Sequence, residues 1–237
     1  MKSKHYRVIL RSDQDYDEHI RKVELRGGAE GQFGDYVLDK AERIAGKEGA
    51  SAPRRQSLIN QAMKAKKTSQ RLFWLRQEAD GVNAAALPES ACRNGCSHCC
   101  HIGVTMSETE AKLIAKEVGT KLRDPDPEHV VVVDPAAALS AEEGLEELQR
   151  AQDKAADRYF GTPCVFLKDG ACSIYKHRPM ACRQLINLDD DDLLCQLVEG
   201  AAVRVPYLDQ RLAQMFYTLV LGSNVRMADI RDWFAGE

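Results

Sequence analysis

Apolar positions along this chain recur mostly at steps of three and four residues, the spacing of helices that bury one face. From Arg54 to Asp80 the residues Leu58, Ile59, Ala62, Ala65, Leu72 and Leu75 form a loose stripe. Opposite it stand Lys64, Lys66, Lys67, Arg71 and Arg76, so the pattern predicts one long amphipathic helix. Ser107-Glu-Thr-Glu110 supplies a capping box that should open a helix running to about Val118, with Gly119 placed to stop it. Ser140-Ala-Glu-Glu143 is a second capping box, and Leu145, Leu148, Gln152, Ala155 and Tyr159 continue behind it on one face until Gly161-Thr-Pro163. After Pro206, the stripe Leu208, Leu212, Met215, Phe216, Leu219 and Val220 predicts a C-terminal helix that closes at Gly222.

Shorter elements fill the gaps. Tyr6–Leu10 reads as a short strand, Asp35–Ala45 as a helix, Asp124–Pro127 as a turn and Val130–Val133 as an extended stretch. Met227–Phe234 offers Ile230, Trp233 and Phe234 as an apolar hook, and Gly27, Gly28, Gly31 and Gly34 read as loop. The expected fold is mainly α, with helices packed around irregular cysteine-rich loops held together by metal and with little β. Two parts are expected: residues 1–80 as a basic, partly helical N-terminal extension, and 81–237 as a cysteine-cluster metal-binding domain with its C-terminal helix.

Charge sharpens that division. Residues 1–80 carry 17 Lys+Arg against 12 Asp+Glu, and the rest carries 16 against 24, so a front of +5 precedes a body of −8. Such a segment is usually a solvated face, and +5 spread over mixed signs does not argue for nucleic acid. The sharper reading makes helix 54–80 a docking face for a protein partner. No purely apolar run is longer than that of Val130–Val133, far short of the roughly 20 residues that span a bilayer. Only three apolar residues follow the basic N-terminus before Arg11, too few for a secretory signal. A cytoplasmic, reducing setting is therefore expected, where clustered cysteines serve as metal ligands or redox groups and seldom as disulfides.

The eight cysteines are Cys92, Cys96, Cys99, Cys100, Cys164, Cys172, Cys182 and Cys195. Four of them fall within Cys92-Arg-Asn-Gly-Cys96-Ser-His-Cys99-Cys100, where Gly95 permits a tight turn. Soft thiolates at such intervals bind zinc or iron–sulfur clusters, and clustering defeats the ordinary reading of cysteine as a small buried hydrophobe. Neighbouring side chains diverge, so Cys99 and Cys100 should face different ways, one toward Cys92 and Cys96 and the other toward the second segment. Eight ligands could complete two four-sulfur sites, or one site with several structural thiols. His98, His101 and His177 stand close enough to support or replace sulfurs, and Arg93, Arg178 and Arg183 could offset the charge of a thiolate-ringed metal. The aspartate run Asp189–Asp192 lacks the spacing and glycine turn of a calcium site and reads as a solvated loop or a helix N-terminus.

Two blocks together resemble the CxxCxxCC cysteine-cluster family, the YkgJ-like proteins: Cys92–Cys100, and Pro163-Cys-Val-Phe-Leu-Lys-Asp-Gly-Ala-Cys-Ser-Ile-Tyr-Lys-His-Arg-Pro-Met-Ala-Cys-Arg183. The second follows the family pattern PC.FL..G.C.IY..RP..CR, and Cys195 matches a later family cysteine. One departure is that Cys92 and Cys96 enclose three residues, not two. The resemblance covers about residues 90–197 and implies a domain that chelates zinc or iron, of a kind described as an iron–sulfur oxidoreductase without an established substrate; flagellin lysine methylases are similar in carrying one.

Three functions follow as expectations. The leading one is an iron–sulfur or zinc protein in a redox or group-transfer role, with eight thiolates favouring an iron–sulfur (4Fe-4S) cluster over zinc. The second is a zinc-stapled interaction module with Arg54–Asp80 as its partner-binding helix. The third starts from Cys92-x3-Cys96-x2-Cys99, whose spacing also resembles radical S-adenosylmethionine enzymes; those set the loop at the end of a barrel strand, and residues 83–91 are no strand.

Overall fold

A computed structural model describes residues 18, 20–23, 25–26, 35–93, 95–134, 141–196 and 205–234. The strand expected at 6–10, the glycines between 27 and 34, and Ser140 lie outside them. The described chain is mainly α. After helical positions at 18, 20–23 and 25–26 comes a helical hairpin, α1 (Asp35–Lys64) and α2 (Thr68–Ala86). The helix expected over 35–45 thus runs on to Lys64, and the single helix expected over 54–80 is instead two, broken at 65–67. Arg71 secures the break by donating Nε to the Ala65 carbonyl at 2.8 Å, one of the carbonyls that the end of α1 leaves unpaired. The reason for the break is tertiary: only a chain that doubles back lets Ala62 on α1 share a core with Leu72, Leu75 and Ala79 on α2. Arg76, expected on the exposed basic face, is buried and pairs with Glu117 at 2.9 Å.

Beyond the cysteine loop come β1 (Thr105–Ser107), α3 (Glu108–Val118), β2 (Val131–Val133) and α4 (Ala141–Tyr159). Ser107 caps α3 by accepting from the Glu110 amide at 3.2 Å, and Gly119 stops the helix in the left-handed conformation at φ 70°. Only half of the capping box forms. The Glu110 carboxylate does not reach back to Ser107; fully buried, it accepts from the Met180 amide at 2.8 Å and the Tyr217 hydroxyl at 3.0 Å. That hydroxyl also orients α6 (Arg211–Leu221). With Tyr217, Val220 and Leu221 in the core, Leu212 and Leu219 of the expected stripe turn outward, at 61% and 51% exposure. Both arcs have helical spacing, and the buried polar contact selects between them.

The segment expected as a hook does more than anchor. β5 (Val225–Asp229) is the central strand of an antiparallel sheet in the order β1-β5-β2, with Met106 opposite Ala228 and Val132 opposite Arg226. A one-turn helix, α7 (Ile230–Trp233), follows, and Ile230, Trp233 and Phe234 are buried. They pack with Val104, Met106, Ala111, Ile114 and Ile174 in a core that directly backs the cysteines. No parallel barrel strands occur among the described residues, so the barrel setting of a radical enzyme is absent there. Among the described residues no helix is long and apolar enough to cross a membrane.

Candidate metal centre

The first cysteine segment has little regular structure of its own. Gly95, at φ +83°, turns the chain, Cys96 donates its amide to the Arg93 carbonyl at 3.1 Å, and His98–His101 wind into a single 3-10 turn. The second segment is a chain of small devices. A two-residue hairpin, β3 (Leu167–Lys168) and β4 (Ala171–Cys172), turns through Asp169 and Gly170, and so sets Cys172 opposite Leu167. Cys182 rides on the short helix α5 (Met180–Gln184), and Cys195 ends a 3-10 turn at Leu193–Cys195.

Backbone bonds join the two segments. Cys164 donates its amide to the Cys100 carbonyl and Gly161 donates to the His101 carbonyl, both at 2.7 Å. Arg231 then clamps the joint. Its guanidinium is buried, pairs with Asp229 at 2.9 Å, and donates to the carbonyls of Cys100 (3.0 Å), Ile102 (3.1 Å), Thr162 (2.7 Å) and Pro163 (3.2 Å). One side chain from the far end of the chain thus serves four carbonyls, that of Cys100 jointly with the Cys164 amide.

The result is a partly enclosed cavity of about 80 Å³ lined by Cys92, Cys96, Cys99, Cys100, Cys164, Cys172 and Cys182. Cys195 stands just outside this lining and is tied to it through Asn187. The Asn187 amide donates to Cys92 Sγ at 3.4 Å, and its side-chain Nδ2 donates to Cys195 Sγ at 3.2 Å. All eight thiols are free and half-buried. Among the described residues, the one set of three candidate ligand atoms all within 4.8 Å of one another is Cys96, His98 and Asp192. No three sulfurs are therefore as close as a tetrahedral zinc would hold them, at about 3.8 Å for Zn–S bonds of about 2.3 Å.

Burial dominates the electrostatics. It pushes the thiols of Cys96, Cys164, Cys172 and Cys182 above their ordinary range and raises Cys195 to about 12. Cys99 and Cys100 behave as a pair: a hydrogen bond from Cys100 draws Cys99 down to about 7, while that shared proton and burial hold Cys100 up. The guanidinium of Arg178, stacked 4.2 Å from the Tyr175 ring, lines the cavity and favours the thiolates of Cys99 and Cys172.

The three arginines singled out from the sequence therefore separate. Arg178 faces the sulfurs, Arg93 pairs at the rim with Asp192 at 2.7 Å, and Arg183 turns away to the carbonyls of Arg178 and Lys176 and to Asp80. The histidines separate as well. His177 pairs with Glu117 at 3.0 Å, His101 bonds the Ser97 carbonyl at 3.0 Å, and His98 alone of the three belongs to a candidate ligand set. The aspartate run is not a free loop either: Asp189 is buried and accepts from the Tyr36 hydroxyl at 2.8 Å, and Lys40 donates to the Leu188 and Asp189 carbonyls. Arg231 and Asn187 had no sequence signal; one lies far from every cysteine, and nothing in the local pattern marks the other.

Soft thiols in this density, a cavity between them, N–H donors to sulfur from Asn187 and the nearby charge of Arg178 fit a thiolate-bound metal, and the class of the molecule is a mainly α metal-binding cysteine-cluster protein. Residues 91–196 match the model of the CxxCxxCC family, described as a "putative zinc- or iron-chelating domain". No curated protein and no solved structure matches the chain.

Proposed function

We propose that all eight cysteines are metal ligands and that the sulfur-lined cavity holds an iron–sulfur cluster, in a protein with a redox or group-transfer role. One observation carries this reading: seven sulfurs surround a space of about 80 Å³, with no three of them mutually within 4.8 Å among the described residues. A single zinc draws its sulfurs together onto one ion. A multi-iron cluster holds each cysteine on a different iron, farther apart, and needs room between them. The space exceeds several times the roughly 10–15 Å³ that one water-sized centre requires. Arg178 and Asn187 supply the charge and N–H donors that tune a cluster potential. Free thiols in this number suit a reducing compartment, which favours a cytoplasmic setting. For a protein partner, the basic surface available is Lys64, Lys66 and Lys67 at the α1–α2 turn, since Arg71 and Arg76 are engaged within the fold.

Anaerobic isolation tests the reading. A brown protein with charge-transfer absorption and acid-labile sulfide, both lost in Cys164→Ser and Cys182→Ser, is the expected result. A colourless protein with stoichiometric zinc refutes it and leaves the zinc-stapled interaction module. That module fails in turn if chelation abolishes a redox activity while the far-UV helix signal survives.

A further inference from the structure

Outside the inner wall of sulfurs, three side chains of different chemistry meet at the rim. Cys96 Sγ, a ring nitrogen of His98 and a carboxylate oxygen of Asp192 all lie within 4.8 Å of one another. His98 Nε2 stands 3.3 Å from Asp192 Oδ2. For a neutral or charge-assisted hydrogen bond that separation is long, since such bonds centre near 2.7–3.0 Å. It equals the edge of a tetrahedron whose metal–nitrogen and metal–oxygen bonds are about 2.0–2.1 Å. Arg93 Nη2 donates to the same Oδ2 at 2.7 Å, and Gln196 Nε2 reaches Oδ1 at 3.4 Å, so the carboxylate is held in place from outside, as metal-binding carboxylates are.

We infer that Cys96, His98 and Asp192 form a mononuclear site for zinc or a similar borderline divalent cation at the edge of the sulfur-lined cavity, with Cys96, one of the seven lining cysteines, bound to this ion and the other six left to the centre inside. One thiolate, one imidazole and one carboxylate suit zinc and not calcium or magnesium, which take oxygen ligands. Three protein ligands leave a fourth position for water or an exchangeable ligand, the pattern of open zinc sites and not of closed structural ones. His98 is brought there by the 3-10 turn that follows Gly95, and Asp192 by the anchored end of the aspartate run, which Tyr36 and Lys40 fix to α1. The rim site is thus assembled jointly by the first cysteine loop and, through the aspartates, the helical hairpin.

This inference needs Cys96 to bind metal but does not need the cavity to hold iron, and the two are read by different signals. Divalent metal per chain is counted in the wild type, His98→Ala, Asp192→Asn and Arg93→Met, with cobalt substitution as the spectroscopic probe. Sulfide content and cluster absorption are followed in parallel. His98→Ala and Asp192→Asn should each lose one divalent ion, with affinity reduced by more than the roughly 10–100-fold that outer-shell changes cause, and with the tetrahedral cobalt bands gone. Cluster absorption and the far-UV signal should persist. Arg93→Met, which removes the ion-pair partner of Asp192 and no ligand atom, should weaken binding by no more than that roughly 10–100-fold and leave the tetrahedral cobalt bands in place. An unchanged divalent count in both ligand variants overturns the site, and so does a loss that falls equally on the cluster absorption. A colourless, sulfide-free wild type would refute the iron–sulfur reading alone, while the His98 and Asp192 variants would still decide the rim site.

Discussion

The inner and outer walls of the cysteine centre are built on opposite principles. The inner sulfurs, Cys164, Cys172 and Cys182, pack against Phe166, Ile174, Ile230 and Phe234 as part of an apolar core. The outer ones, Cys92 and Cys195, take N–H donors from Asn187, and Cys96 beside them lies close to His98 and Asp192. The inner wall is a continuation of the hydrophobic core, so its geometry depends on the burial of distant residues. The outer wall is a hydrogen-bonded rim, so its geometry depends on single polar contacts. Damage to the first should unfold the site, whereas damage to the second should retune it.

The largest expected effect comes from the joint between the two cysteine segments. Arg231→Ala leaves buried Asp229 without its ion-pair partner and removes the guanidinium donor from the carbonyls of Ile102, Thr162 and Pro163. It should destabilise the protein by about 3–5 kcal/mol in chemical denaturation and abolish metal retention. Ile230→Ala tests the inner wall directly. At 1% exposure and lining both the cavity and the core, it should cost about 2–5 kcal/mol and lower metal content in step.

Acidity separates the metal-free from the metal-loaded state. Burial raises Cys195 from an ordinary value near 9 to about 12, so the fold favours its protonated thiol. That contribution is fully present below about pH 9 and is lost as pH rises toward 12. The metal-free protein should therefore lose stability across that window in pH-dependent denaturation. The loaded protein, whose thiols are already bound as thiolates, should not. A flat profile for the metal-free form would remove the distinction.

At the outer wall, Asn187→Ala deletes the donors to Cys195 and to the Asp191 carbonyl and should cost only about 1–3 kcal/mol, with metal retained and its spectrum shifted. Bleaching of the protein by this change would mean that the rim holds the centre together as the core does. The smallest effect belongs to His177→Ala. Its ring is 41% exposed and pairs with Glu117, so stability should move by no more than about 1 kcal/mol and metal content not at all.

Much of this contrast was legible residue by residue. The spacing Cys92–Cys100 and the Pro163–Arg183 block drew attention to the right loops, and Ser107, Gly119 and Gly161 marked real helix limits because caps and left-handed turns are local devices. What failed was everything set by partners remote in sequence. The break at 65–67 has no glycine or proline, and Arg76 shows nothing locally of its pairing with Glu117. The rotation of α6 depends on Glu110, and β5 reads as a strand only once Thr105–Ser107 and Val131–Val133 lie on either side of it.

The amino-acid sequence by itself determined the chemistry, a set of eight thiols in two blocks with histidine and aspartate close by, since ligand type and short spacing are written into neighbouring residues. The tertiary structure alone decided which of these atoms meet: Arg178 and not Arg183 against the sulfurs, His98 and not His177 beside Cys96, and the two blocks joined through Arg231. Contacts between residues a hundred positions apart are chosen by burial and by the pairing of buried polar groups across the whole fold, and no local pattern records that choice.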